Sequence, residues 1–202
     1  MQMWYTHYMA SSTTYDVVSP ARLRAAGWLS MGASFLTLPW FLFTYLAEGR
    51  GDASIKGAEA LMLVGRLALL IYVLLVFQQL LNKHYAFTGA NKTISLFIQA
   101  STIQVAARLL ALAVPELADA VALFGLIMLV IIGVIHLMFG IWLLYLPASL
   151  GGMHRPFCYL NIATGLAFAS IVLLPVGMLT STIADLMLGT ILLQTARLPR
   201  LT

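Results

Sequence analysis

Residues 117–146, LADAVALFGLIMLVIIGVIHLMFGIWLLYL, form a long apolar stretch that contains one acidic residue, Asp119, and one histidine, His136. As an α-helix this stretch would extend about 45 Å, whereas about 20 apolar residues are enough to cross a bilayer. A hydrophobic run of this length is typical of a membrane span. The stretch therefore predicts an integral membrane protein.

The composition of the whole chain agrees with this prediction. Of 202 residues, 61% are apolar and only 9% are charged, whereas soluble domains carry about 25% charged residues. The net charge of +4 is spread along the chain without a basic stripe, and we therefore expect no nucleic-acid partner. The single cysteine, Cys158, excludes an intrachain disulfide.

Six apolar runs are long enough to be spans, and they predict an all-α, polytopic bundle of six transmembrane helices. Residues 1–26 precede the first run and contain one tryptophan and three tyrosine residues. We expect them to form an aromatic segment that either lies at the level of the lipid headgroups or docks on a partner. The predicted spans are residues 27–47, 58–81, 93–114, 117–146, 157–174 and 181–198.

The basic residues between the spans predict the orientation of the chain. Six spans place both termini on one side of the membrane, and cytoplasmic segments are enriched in lysine and arginine. The side opposite the termini has only Arg50 and Lys56, so both termini are expected in the cytoplasm. The basic residues on the side of the termini are Arg22, Arg24, Lys83, Lys92, Arg155, Arg197 and Arg200.

Three charged residues lie at least four residues away from the ends of their predicted spans: Arg66, Arg108 and Asp185. At 1.5 Å per residue they lie about 12, 9 and 6 Å from the outer face of the membrane. A charge at a helix centre costs about 3 kcal/mol, so intramembrane charges are usually paired or functional. Ser101, Gln104 and Arg108 share one face of the third span. The sequence therefore predicts a polar cluster of Arg66, Gln104, Arg108 and Asp185 in the outer half of the membrane.

This cluster has a structural and a functional interpretation. In the structural one, Arg66 or Arg108 pairs with Asp185, Arg108 extends toward the membrane surface, and Asp185 lies in the first turn of its helix after Thr182. In the functional one, the guanidinium groups hold a carboxylate, a phosphate or a lipid headgroup, or the cluster lines a quinone or lipid pocket. Arg66 is the one charge that no predicted helix end explains.

His136 is the one histidine inside a predicted span. It shares a face with Gly133 and Gly140, which places the imidazole at a predicted helix contact. One alternative is an interhelical hydrogen bond, and the other is an axial ligand for a haem or a chlorophyll-type ring. Asn161 and Gly165 share a face of the fifth span and likewise predict a packing contact with a polar side chain.

Three features of residues 133–199 carry a resemblance: the His136-x-x-x-Gly140 run, the His154-Arg155-Pro156 triplet and the helix around Gly165. Through them the chain resembles uncharacterised six-span bacterial membrane proteins that are described only as domains of unknown function. The resemblance implies a six-helix protein of the bacterial inner membrane. It implies no activity and no site residues.

The chain contains no H-E-x-x-H, no G-x-S-x-G and no phosphate-binding glycine loop. We therefore expect a non-catalytic subunit or scaffold of a larger membrane complex, with membrane lipids and other membrane subunits as partners and without a cofactor. One alternative is a carrier for a small molecule, lipid or anion that uses the polar cluster. Another is a redox subunit that binds a tetrapyrrole or a quinone at His136.

Overall fold

The computed structural model describes residues 18–47, 53–147 and 150–197, and within these ranges the protein is all-α, without a strand. Short 3-10 turns at Pro115–Leu117 and Leu150–Gly152 join some of the helices. The helices are α1 Pro20–Ala47, α2 Ala53–His84, α3 Asn91–Ala113, α4 Ala118–Leu144, α5 His154–Ser170 and α6 Leu174–Thr195.

The predicted all-α fold is confirmed, and the chain is consistent with an integral membrane protein. Four segments among the described residues are long and apolar enough to cross a membrane: Ala53–His84, Asn91–Ala113, Pro115–Leu144 and Leu174–Thr195. The count of six spans and the cytoplasmic termini stay predictions. The predicted aromatic segment lies outside the described residues up to residue 17, and α1 begins within its last part.

The outward surface of the helices is apolar, which suits lipid rather than water. Leu61 is 75% exposed, Phe35 is 71% exposed and Leu123 is 63% exposed. A soluble monomer rarely exposes contiguous apolar patches of more than a few hundred Å². In a bilayer the same side chains would contact acyl chains without cost.

The six helices pack as a ring in chain order. Each helix contacts the next one, and α6 returns to contact α1. Short connections join most neighbours, so successive helices run in opposite directions. We call the end of the ring where α1, α3 and α5 begin the closed end, and the opposite end the hollow end.

The contact between α4 and α5 depends on glycine, as the sequence predicts for Gly133, Gly140 and Gly165. A Cβ atom at Gly165 would lie 2.6 Å from the Gly133 carbonyl oxygen and 2.6 Å from the Leu137 backbone nitrogen. A Cβ atom at Gly140 would lie 2.8 Å from the Cys158 carbonyl oxygen. The two backbones can approach this closely only without side chains at these positions.

The contact between α1 and α6 closes the ring and is built in the same way. A Cβ atom at Gly27 would lie 2.9 Å from the Gly189 carbonyl oxygen, and one at Gly189 would lie 2.8 Å from that of Gly27. Next to this crossing, the Ser30 hydroxyl donates a hydrogen bond of 2.8 Å to the Asp185 carbonyl oxygen. A polar bond between helices is a common supplement to small-residue packing in membranes.

Three phenylalanine rings fill the interior at the closed end. The centroid of the Phe77 ring lies 6.2 Å from that of Phe139 and 6.1 Å from that of Phe157, and all three pairs meet edge to face. Phe77 has no exposed surface. Edge-to-face pairs add about 0.5–1.5 kcal/mol each beyond their buried area. This phenylalanine cluster therefore seals one end of the ring.

The start of α6 differs from the prediction of residue 181. The helix begins at Leu174, and Pro175 lies in its first turn, where proline is tolerated because its missing N–H needs no partner. The Thr182 hydroxyl donates to the Met178 carbonyl oxygen at 2.8 Å, inside the helix. The predicted position of Asp185 in the first turn is therefore wrong, because Asp185 lies near the middle of α6.

Candidate functional site

The helix ring encloses a cavity of about 570 Å³ that extends from the phenylalanine cluster toward the hollow end. All six helices contribute to its wall, and Phe139 and Phe157 belong to its floor. The cavity brings together every residue that the sequence singles out as a site candidate. These are Arg66, Gln104, Arg108, His136 and Asp185.

Most of the cavity wall is apolar, and few polar groups interrupt it. Binding sites for small molecules have volumes of about 300–1,000 Å³ and combine apolar walls with a small number of oriented polar groups. The volume and the lining of this cavity agree with that description. Examples of the apolar lining residues, from four different helices, are Leu67, Leu70, Phe97, Phe124, Ile132 and Leu188.

Arg108 forms an ion pair with Glu59, which joins α3 to α2 near the hollow end. The Arg108 Nη2 atom lies 3.0 Å from the Glu59 Oε1 atom, and Nε donates to the same oxygen at 3.1 Å. The Glu59 side chain is 8% exposed, whereas that of Arg108 is 47% exposed. The predicted pairing of Arg108 with Asp185 is therefore wrong, because Glu59 lies at the same level and on the neighbouring helix.

The predicted spans do not reveal this pair. The predicted second span begins at residue 58, which places Glu59 at the membrane surface and Arg108 about 9 Å below it. In the structure, Glu59 lies about 9 Å from the start of α2, and Arg108 lies about 8 Å from the end of α3. Because α2 and α3 are antiparallel neighbours, both residues then lie at the same level.

Removing either member of this pair is expected to have unequal effects. In Arg108→Met the buried Glu59 carboxylate loses its partner, whereas in Glu59→Gln the half-exposed Arg108 can turn toward the membrane surface. A broken, fully buried pair costs about 3–5 kcal/mol. We expect Arg108→Met to approach this range and Glu59→Gln to remain well below it. SDS-induced unfolding of the purified variants measures both free energies, and equal losses would contradict the prediction.

Arg66 and Asp185 face the same cavity without touching. Within the described ranges neither side chain forms an ion pair within 4.0 Å or a hydrogen bond, although their charges attract each other across the gap. Arg66 is exposed to the cavity and Asp185 is half-buried.

Both of these charges lie farther from the starts of their helices than the sequence predicts. Arg66 lies about 20 Å from the start of α2, and Asp185 lies about 16 Å from the start of α6. The difference arises because α2 and α6 each begin earlier than their predicted spans. Each charge therefore lies near the middle of a long apolar helix, where a charged group is usually paired or functional.

His136 forms the predicted hydrogen bond between helices, with Asn161 of α5. The His136 Nδ1 atom lies 3.2 Å from the Asn161 Oδ1 atom, while the Asn161 amide donates to the Phe157 carbonyl oxygen at 2.9 Å. Because Oδ1 can only accept, Nδ1 carries the proton and Nε2 is left as an acceptor. The ring packs edge to face against Phe97 and Phe168, at centroid distances of 4.6 and 5.9 Å.

The site is therefore a half-enclosed cavity with a polar region of Arg66, Asp185 and the Arg108–Glu59 pair, and with His136 nearer the closed end. Among the described residues no group of three or more His, Cys, Asp or Glu could hold a metal ion.

Comparison with protein-family models, with curated proteins and with solved structures gives no match. The resemblance to six-span bacterial proteins accordingly stays a prediction.

Proposed function

We propose that this protein is a non-catalytic membrane protein that binds a single-chain amphiphile inside its helix ring. The observation that carries the proposal is the cavity itself, in which apolar walls surround two charged side chains that have no ion-pair or hydrogen-bond partner among the described residues. An acyl or isoprenoid chain would contact the walls, and a polar headgroup would contact Arg66 and Asp185. The role is that of a carrier or receptor.

The apolar wall favours an amphiphile over a water-soluble ion. Burial of apolar surface stabilises a bound ligand by about 25 cal/mol for each Å² removed from water, and a free inorganic anion has no such surface. The bilayer also supplies amphiphiles at high local concentration. A cavity of about 570 Å³ suits one chain rather than a complete two-chain lipid.

The two charges argue against a cavity that is only a packing defect. An empty cavity in a stable protein is usually lined by apolar groups, whereas this one contains an arginine and an aspartate near the middle of their helices. Each such charge costs about 3 kcal/mol in the membrane. A bound polar headgroup would offset that cost.

The route into the cavity follows from the position of Arg108. This residue lines the cavity near the hollow end and its side chain is 47% exposed, which supports an opening beside the Arg108–Glu59 pair. The phenylalanine cluster seals the other end. With the predicted cytoplasmic termini, ligands would enter from the outer leaflet.

The test uses Gly125 of α4, which lines the cavity and whose Cβ position has no other atom within 4 Å. In Gly125→Phe the new ring has room to enter the cavity, so we expect a folded protein that has lost ligand. Gly65→Phe is the matched control, because Gly65 is equally uncrowded but does not line the cavity. Native mass spectrometry of both variants, released from lipid nanodiscs, measures the bound amphiphile.

Loss of the bound mass in Gly125→Phe alone supports the proposal. Absence of any bound amphiphile in the unaltered protein contradicts it, as does equal retention by both variants. A visible absorbance band that depends on His136 would instead support the tetrapyrrole alternative. Membership of a larger membrane complex stays a separate prediction, and identification of the chains that copurify addresses it.

A further inference from the structure

Arg66 and Asp185, which have no partner in the part of the chain that the structure describes, carry opposite charges and face one cavity, and this arrangement restricts the ligand. Resting on the proposed function, we infer that the cavity selects a zwitterionic headgroup. Asp185 binds its ammonium group, and Arg66 binds its phosphate or carboxylate. The class of ligand is thus a single-chain amphiphile whose polar end carries both charges.

The separation of Arg66 and Asp185 is the first support. Two side chains that served only to neutralise each other would be expected in direct contact, as Arg108 and Glu59 are at 3.0 Å. Instead, Arg66 and Asp185 lie more than 4.0 Å apart by the criterion for an ion pair. Their charged atoms are therefore not in contact, and a ligand that carries both charges would satisfy each of them.

The charge balance of the cavity is the second support. The Arg108 charge is already matched by Glu59, so one positive and one negative charge remain among the described residues that line the cavity. A purely anionic headgroup would satisfy Arg66 but would place a second negative charge near Asp185. A purely cationic headgroup would satisfy Asp185 but would place a second positive charge near Arg66. A zwitterion satisfies both groups and leaves the cavity neutral, which a low-dielectric environment requires.

The chemistry of the two side chains is the third support. The guanidinium group presents several N–H donors in a planar fork that matches a phosphate or carboxylate. An ionised aspartate only accepts hydrogen bonds, and an ammonium group supplies three donors. The Ser30 hydroxyl already donates to the Asp185 backbone oxygen, so it does not compete for the carboxylate.

The experiment compares probes that share one oleoyl chain and differ in their headgroups. They are lysophosphatidylethanolamine, which is zwitterionic, lysophosphatidylglycerol, which is anionic, and monooleoylglycerol, which is neutral. Binding to the full chain in nanodiscs is counted by native mass spectrometry. We expect the unaltered protein to prefer the zwitterionic probe over each of the others by at least about tenfold, which corresponds to about 1.4 kcal/mol.

Single substitutions should change the preference in opposite directions. In Asp185→Asn we expect the anionic probe to bind at least as well as the zwitterionic one, because Arg66 then stands alone. In Arg66→Gln we expect oleylamine, a cationic probe, to bind better than the anionic probe. If the two residues had a purely structural role, each substitution would weaken the binding of all probes alike, and that outcome would overturn the inference.

The remaining outcomes separate this inference from the proposed function. If the unaltered protein binds all three probes equally and Gly125→Phe still abolishes binding, the zwitterion assignment fails and the proposed function stands. If no probe binds, the proposed function fails. Free phosphoethanolamine, which has both charges but no chain, should compete weakly. If it competed as well as the lysolipid, the binding of both charges by Arg66 and Asp185 would stand, but the proposal that the ligand needs an apolar chain would fail. The comparison of probes on the unaltered protein needs no variant to fold.

Discussion

Gly165→Leu is expected to abolish the packing of α4 against α5. Even a Cβ atom at this position would lie 2.6 Å from two backbone atoms, the Gly133 oxygen and the Leu137 nitrogen. Backbone atoms cannot rotate away as a side-chain end can, so the helices must separate. Overpacking of a core by extra methylene groups costs about 1–3 kcal/mol and occasionally more. We expect this variant to exceed that range, because separation would also break the His136–Asn161 hydrogen bond.

Thermal unfolding in detergent and the yield of monodisperse protein measure this effect. Gly65→Leu is the matched control, since nothing lies within 4 Å of a Cβ atom at Gly65, and it should unfold close to the unaltered protein. The unfolding temperature of Gly165→Ala should lie between those of Gly165→Leu and Gly65→Leu. If Gly165→Leu were as stable as the control, the close approach of α4 and α5 would not be a property of the protein.

Phe77→Ala is the second substitution with a large expected effect. Phe77 has no exposed surface and contacts both other rings of the phenylalanine cluster. Replacement of a buried phenylalanine by alanine costs about 3–5 kcal/mol, and the cost grows with the volume of the space that remains. Because Phe139 and Phe157 also line the cavity floor, this space would join the cavity and enlarge it toward the closed end.

The control is Phe35→Ala, which removes the same atoms from a residue that is 71% exposed. Unfolding by SDS should show a large loss of unfolding free energy for Phe77→Ala and a small loss for Phe35→Ala. The enlarged cavity gives a second measurement, because longer-chain amphiphiles should then bind better relative to shorter ones. Equal stability of the two variants would mean that the phenylalanine cluster does not hold the closed end together.

Much of the fold could be predicted because lipid imposes a simple rule on sequence. A helix must satisfy all its backbone polar groups internally to cross a bilayer, so long apolar runs such as residues 117–146 indicate helices directly. The helix boundaries are harder to predict at a residue that can either end a helix or begin one. Pro175 ends a helix in one context and begins one in another, and the structure shows the second role.

The candidate site was predictable in its members but not in its contacts. Charges inside apolar runs stand out by cost alone, which is why Arg66, Arg108 and Asp185 could be selected from the sequence. Partner choice depends on which helices are neighbours and on their relative depth, and neither is encoded in the spacing along one helix. Glu59 therefore escaped selection although it forms the ion pair with Arg108.

The ring order has a consequence for how the protein is made. The hydrogen bond from Ser30 to the Asp185 backbone joins residues that are 155 positions apart, and the Gly27–Gly189 crossing joins residues that are even farther apart in the chain. If all six helices are spans, as predicted, α1 would stay in the bilayer during synthesis with its glycine face uncovered until α6 has been inserted. The interior would be open sideways to lipid throughout that time. The amphiphile that we propose as the ligand would then enter before the ring closes, and the last helix would complete the fold around it.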